Sequence, residues 1–176
     1  MAYCNQTLAG ITLDCTNSLG GIRRVFIANY GDVTSVTVGE DDVIGVENIT
    51  MSGDAKFKTY QFRKQTGSMT STLTVDETAG INYVSTELSL VFTKMETPKR
   101  IEMAAIAIGQ LAVIVEDSNG KYWYLGYDDY VSASAGGANT GTAKGDQNAY
   151  TLTLKDESTT YPYEITKEAV DKVVGE

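Results

Sequence analysis

A chain of 176 residues is long enough to bury a substantial core and short for two domains. Its 14 Lys+Arg against 23 Asp+Glu leave a formal charge of −9, which sets the surface against nucleic acid unless a basic patch overrides it, and no basic block occurs. With no histidine, Cys4 and Cys15 cannot hold zinc alone; buried structural thiols are the preferred reading.

The 17 Gly, 11 Tyr and 2 Pro, with abundant Thr and Val, favour β-structure. No apolar stretch has the length of a membrane helix, and the first residues lack the basic and apolar regions of a signal peptide. The chain is therefore expected to be soluble and made in a cytoplasm.

Residues 1–21 read as an N-terminal arm or short strand. Ile22–Tyr30 reads as the first strand of the domain, with apolar residues on both faces. Residues 31–53 form an acidic, Gly-punctuated loop or protruding hairpin centred on Glu40, Asp41 and Asp42, without the ligand spacing of a calcium loop.

The stretch Lys56–Met95 predicts three consecutive antiparallel strands. The first is basic (Lys56, Lys58, Arg63, Lys64) and reads as a lysine-guarded edge. In the second, Met69, Ser71, Leu73 and Val75 alternate with Ser68, Thr70, Thr72, Thr74 and Asp76. In the third, Val84, Thr86, Leu88, Leu90 and Phe92 alternate with Ser85, Glu87, Ser89 and Thr93. Side chains alternate across a strand, so each strand has one dry row and one wet row of hydroxyls and carboxylates.

A helix follows, with Thr97 as N-cap and Pro98 at the first position, running to Ile108 and stopping at Gly109. Apolar residues encircle its second half, which predicts cover on more than one side, from two sheets or from a second subunit. Asn119-Gly120 predicts a type I′ hairpin joining Leu111–Asp117 to Lys121–Tyr127, with Val115 opposite Tyr124 and Glu116 opposite Trp123. The aromatic cluster Tyr122–Tyr130, beside Asp128 and Asp129, has the chemistry of a sugar platform. Alternation splits it between two faces, so core packing is the plainer account.

Residues 131–149 are a low-complexity Gly/Ala/Thr-rich connector, expected to be flexible and to lack the ending of a phosphate-binding loop. Tyr150–Lys155 is a strand with Tyr150, Leu152 and Leu154 on one face, followed by a turn at Asp156–Thr160. Tyr161–Ile165 is expected as an edge strand because of Pro162, and Thr166 as the cap of a short C-terminal helix.

The order of elements resembles a known family. The connector leading into Gly145-Asp-Gln-Asn-Ala-Tyr-Thr-Leu-Thr-Leu154, a turn and Tyr161-Pro162-Tyr163 is similar to the C-terminal part of bacteriophage tail-tube (major tail) proteins and related virion ring proteins. The long strands, the helix and the Asn119-Gly120 hairpin agree with it. The resemblance implies one mainly β domain: a two-sheet antiparallel β-sandwich with long strands, one buried helix and a short C-terminal helix. It further implies stacked, hexameric rings whose long strands join across subunits around an acidic lumen for DNA ejection. On that reading Thr70, Thr72, Thr74, Asp76, Ser85, Glu87 and Ser89 line the lumen, and Glu40, Asp41 and Asp42 belong to an inter-ring loop. The partners are other copies of the chain, other tail proteins and DNA that passes without specific binding; no membrane or cofactor is implied, and the location is the virion.

A head–tail joining or baseplate ring protein of the same fold is the alternative within this class. A carbohydrate-binding β-sandwich module using Tyr122–Tyr130 is the alternative outside it. No histidine, nucleophile elbow or matched carboxylate pair points to an enzyme, and no catalytic residue is assigned.

Overall fold

The computed structural model describes residues 8–39 and 45–175. Residues 8–20 form an extended arm. The body begins with β1 (Ile22–Asn29), followed by the hairpin β2 (Val33–Val38) and β3 (Val46–Met51) and by β4 (Lys58–Gln61). Two long strands come next, β5 (Gly67–Asp76) and β6 (Ile81–Thr93), then α1 (Thr97–Ile108). The remainder is β7 (Leu111–Asp117), β8 (Tyr122–Leu125), β9 (Ser132–Asn139), β10 (Ala149–Ser158), β11 (Tyr163–Ile165) and α2 (Lys167–Val173).

These strands make two sheets. The larger has the order β2-β3-β11-β8-β7-β1-β4 and the smaller β5-β6-β10-β9. The fold is mainly β, two sheets with two helices, as expected of a sandwich; β3–β11 is its parallel pair. One core lies between the sheets, where Val25, Ile27, Val113 and Val115 meet Leu88, Leu90, Leu152 and Leu154. A second lies on the far side of the larger sheet, where Phe26, Ile114 and Tyr124 pack with Ala169, Val170 and Val173 of α2. The centre of the larger sheet is therefore covered twice, which explains why β1 and β7 read as near-continuous apolar runs.

The Thr166 hydroxyl accepts the Ala169 N–H and caps α2 as expected. At the entry to β3, Gly45 has φ +69° and a Cβ there would fall 2.0 Å from the Glu164 carbonyl oxygen, so a side chain would expel β11.

Several expectations are corrected. The three strands of Lys56–Met95 are not consecutive in one sheet. β4 pairs with β1 at the edge of the larger sheet, and only β5 and β6 pair in the smaller one. The cause is the side-chain division around β4: Phe57 enters the second core while Tyr60 and Phe62 enter the first, so this segment has to border the larger sheet. The lysine-guarded edge is observed there.

The β7–β8 connection is one residue longer than a type I′ turn. Asp117 accepts the N–H groups of Asn119 and Lys121 through Oδ1, and Gly120 alone of the turn residues has positive φ, +81°. Val115 consequently faces Trp123, and Glu116 faces Tyr122. That slip turns Trp123 and Leu125 toward the core between the sheets and Tyr122 and Tyr124 toward α2.

The connector of residues 131–149 contains a strand. Val131 is fully buried, and β9 pairs along β10 through ladder hydrogen bonds that need no large side chains. β11 is interior, between β3 and β8, because Pro162 lies just outside its first residue. β10 continues through the expected turn to Ser158.

The helix α1 is not buried. It begins at Thr97 with Glu96 as N-cap, fully buries only Ile106, and tucks Met103 against the core. Cys15 is exposed in the arm, not a buried thiol; Cys4 lies outside the described residues.

Candidate functional site

The outer face of the smaller sheet gathers the wet rows predicted from alternation. In the β5–β6 register Ser68 faces Ser89, Thr70 faces Glu87 and Thr72 faces Ser85, while Thr74 faces Tyr83 and Asp76 faces Ile81. All seven predicted lumen residues, Thr70, Thr72, Thr74, Asp76, Ser85, Glu87 and Ser89, therefore stand on one face. Ser85 is half-buried and the other six are exposed.

The sequence reading missed half of this surface. β10 adds Thr151, Thr153, Lys155 and Glu157, which pair with Val91, Ser89, Glu87 and Ser85. The alternation of 150–158 carries that signal in the row opposite Tyr150, Leu152 and Leu154. Tyr83 and Ile81 also belong to the face, so its hairpin end is partly apolar.

The electrostatics of the face are weakly acidic. Asp76, Glu87 and Glu157 stand against one cation, Lys155, which pairs with Glu157 at 2.7 Å and has its ammonium held above the usual range by that contact. Asp76 has a second task. Its Oδ1 accepts the N–H groups of Thr78 and Ala79 and so fixes the hairpin turn.

Among the described residues, both edges of this sheet are open. β5 (GSMTSTLTVD) and β9 (SASAGGAN) each pair on one side, and neither contains Lys, Arg or Pro. Edge strands are normally blunted by such residues, as β4 is. The outer half of the β5–β6 hairpin also projects past the body, leaving Leu73 and Val75 46% and 57% exposed although they share a row with buried neighbours.

The aromatic cluster Tyr122–Tyr130 is not brought together as a platform. Tyr122 and Tyr124 are buried toward α2, and Trp123 is half-buried with its indole N–H donating to Asp117 at 3.1 Å. Tyr127 and Tyr130 stay partly exposed, packed edge-on against Tyr163 and Tyr30. Asp128 between them accepts from Ser158 and Thr159, contacts that hold its carboxyl below the usual range.

Beneath that loop, Asp156 is 3% exposed and its Oδ1 has no hydrogen-bond partner among the described residues. Desolvation pushes its carboxyl up to about 6, against the Gly126 N–H, with Asp128, Asp129 and Glu157 adding to the rise.

The expected inter-ring residues Glu40, Asp41 and Asp42 lie outside the described residues, although the β2–β3 hairpin that flanks them is formed. Among the described residues no group of three or more Cys, Asp or Glu could hold a metal ion, and no helix is long and apolar enough to cross a membrane. No model of a known protein family, no curated protein and no solved structure matches the chain.

Proposed function

We propose that this chain is a structural virion protein that assembles head to tail through its four-stranded sheet into rings, and that the rings stack as a tail tube through which DNA passes. The observation that carries the reading is the pair of open edges without Lys, Arg or Pro at opposite ends of one sheet.

An even number of alternating strands matters here. β5 and β9 run in opposite senses, so joining β5 of one copy to β9 of the next continues the antiparallel pattern without a break. A contact between two different patches propagates, and it closes into a ring when the rotation per copy allows. Closure removes both edges, as in any barrel.

The outer face then becomes the wall of the lumen. Short hydroxyls keep that wall hydrated without filling the channel. Carboxylates repel phosphates and avoid the adhesion that lysines would gain by releasing counterions from DNA.

Electron microscopy and sedimentation of the purified protein test the reading, with rings or tubes expected. The double substitution Ala135→Lys and Gly137→Lys, which guards the β9 edge, is expected to leave a folded monomer. A native protein that stays monomeric at high concentration would overturn the proposal.

A further inference from the structure

Among the described residues, the apolar flank of α1 and the end of β5 are both left exposed to solvent. The first is the flank of α1. At 100° per residue Ile106 and Met103 point inward, Ile101 and Ile108 fall on the opposite side, and Ala104 and Ala105 lie on the two flanks. Ile101 is 58% and Ile108 89% exposed. Between this helix and β9 runs a groove of about 430 Å³, lined by Met103, Ala104 and Ala107 on one wall and by Ala133, Gly136 and Leu152 on the other, with no charged side chain. It lies beside the unpaired edge of its sheet.

The second feature is the pair Leu73 and Val75. They occupy the inner row of β5, the row of Met69, which packs against the core. Leu73 stands opposite the buried Val84 and Val75 opposite the exposed Asn82, and both keep about half of their surface in water.

We propose that the groove between α1 and β9 of one copy receives Leu73 and Val75 of β5 from a second copy. This rests on the head-to-tail reading above and adds what holds the joint together besides backbone hydrogen bonds.

A strand added to β9 lies about 4.8 Å farther out, with its inner row on the side of Ala133 and Gly136. That side is the one α1 overhangs. Small residues on both walls leave the room, and two alkyl side chains fill it. The joint thereby becomes a buried apolar contact instead of a bare ladder. An aliphatic row meeting an uncharged groove leaves no carboxylate or ammonium to be desolvated.

The exposed Leu8, Ile11 and Leu13 of the N-terminal arm compete for the same groove. β5 is favoured over the arm because its strand already lies along the β9 edge in the head-to-tail joint, which brings its inner row to the groove without ordering a further length of chain.

The test uses full-length protein with Cys4→Ser and Cys15→Ser. One preparation carries Leu73→Cys and another Ala107→Cys; both are mixed, allowed to assemble and treated with a short bismaleimide. A covalent dimer is expected in the mixture and in neither preparation alone. Val75→Cys replaces Leu73→Cys if the first variant does not fold.

Assembly by sedimentation without a 73–107 product overturns the groove contact and leaves the ring reading standing. Capture of Ala107→Cys by an Ile11→Cys preparation instead assigns the groove to the arm and also overturns it. A mixture that remains monomeric, as the native protein then also would, takes the ring reading down with the contact.

Discussion

The two sheets of this protein are built from similar strands and differ in how their faces are covered. The larger is covered at its centre: its middle strands are buried on both faces, α2 closes one side, and lysines flank its β4 edge, while its β2 edge (VTSVTV) carries no such guard. Even its buried Glu116 is paired, to Arg24 at 2.5 Å. The smaller sheet is covered on one face only, and its β5 and β9 edges carry no guard. The contrast separates residues that make the fold from residues left over for something else. Alternation alone does not do so, because a wetted row looks the same in a finished sheet and in an unfinished one.

The sharpest way to break the comparison is truncation on each side of it. Ile114, fully buried in the middle of β7, should cost about 2–5 kcal/mol of unfolding free energy on Ile114→Ala, from lost burial and the cavity left behind. Leu73→Ala in the smaller sheet should cost less than about 1 kcal/mol in the isolated subunit, because Leu73 is already half in water. Urea unfolding of the two monomeric variants measures both. Equal losses would mean that the smaller sheet is as finished as the larger.

A second effect, of intermediate size, comes from Asp156 at the seam. Its carboxyl titrates at about 6 in the folded protein against an ordinary 3.8. Between those values the folded chain holds a proton that the unfolded chain has released. Stability from this group is therefore greatest below about pH 4, falls as the pH rises toward 6 and is level above it. Asp156→Asn keeps an acceptor for the Gly126 N–H and removes the buried charge. It should raise stability above pH 7 by about 1–3 kcal/mol and flatten the fall between pH 4 and 6. Thermal unfolding across that range decides it, and an unchanged slope would remove Asp156 as the cause.

The smallest effect is expected on the outer face. Glu87 is exposed and has no ion pair among the described residues, so Glu87→Lys should change subunit stability by no more than about 0.5 kcal/mol. In an assembled tube the same change should slow DNA passage, since it replaces a repelling charge by an attracting one. Ejection kinetics of particles carrying the variant measure this, and unchanged kinetics would argue against a lumen there.

Much of the wet face is legible in the amino-acid sequence. The rows of β5 and β6 follow from a period of two, and the register then sets Thr70 beside Glu87 and Thr72 beside Ser85. The cap of α2 and the burial of β1 on both faces are equally legible, because a hydroxyl at a helix start and a run of apolar residues are local facts. The β9 edge is not. Ser-Ala-Ser-Ala-Gly-Gly-Ala-Asn has no apolar row to announce a strand, and its ladder to β10 depends on a partner already in place.

What the sequence determined by itself was the row to which each strand residue belongs, since the direction of a side chain follows from backbone geometry within a few residues. What only the tertiary structure decided was partnership. It sent β4 to the larger sheet, put β11 inside it, shifted β8 by one residue against β7 and left α1 with one face in the core and the opposite face in water. Backbone N–H and C=O groups bond equally well to any strand that presents a ladder. The choice among partners is made by the volume and polarity of side chains arriving from distant parts of the chain.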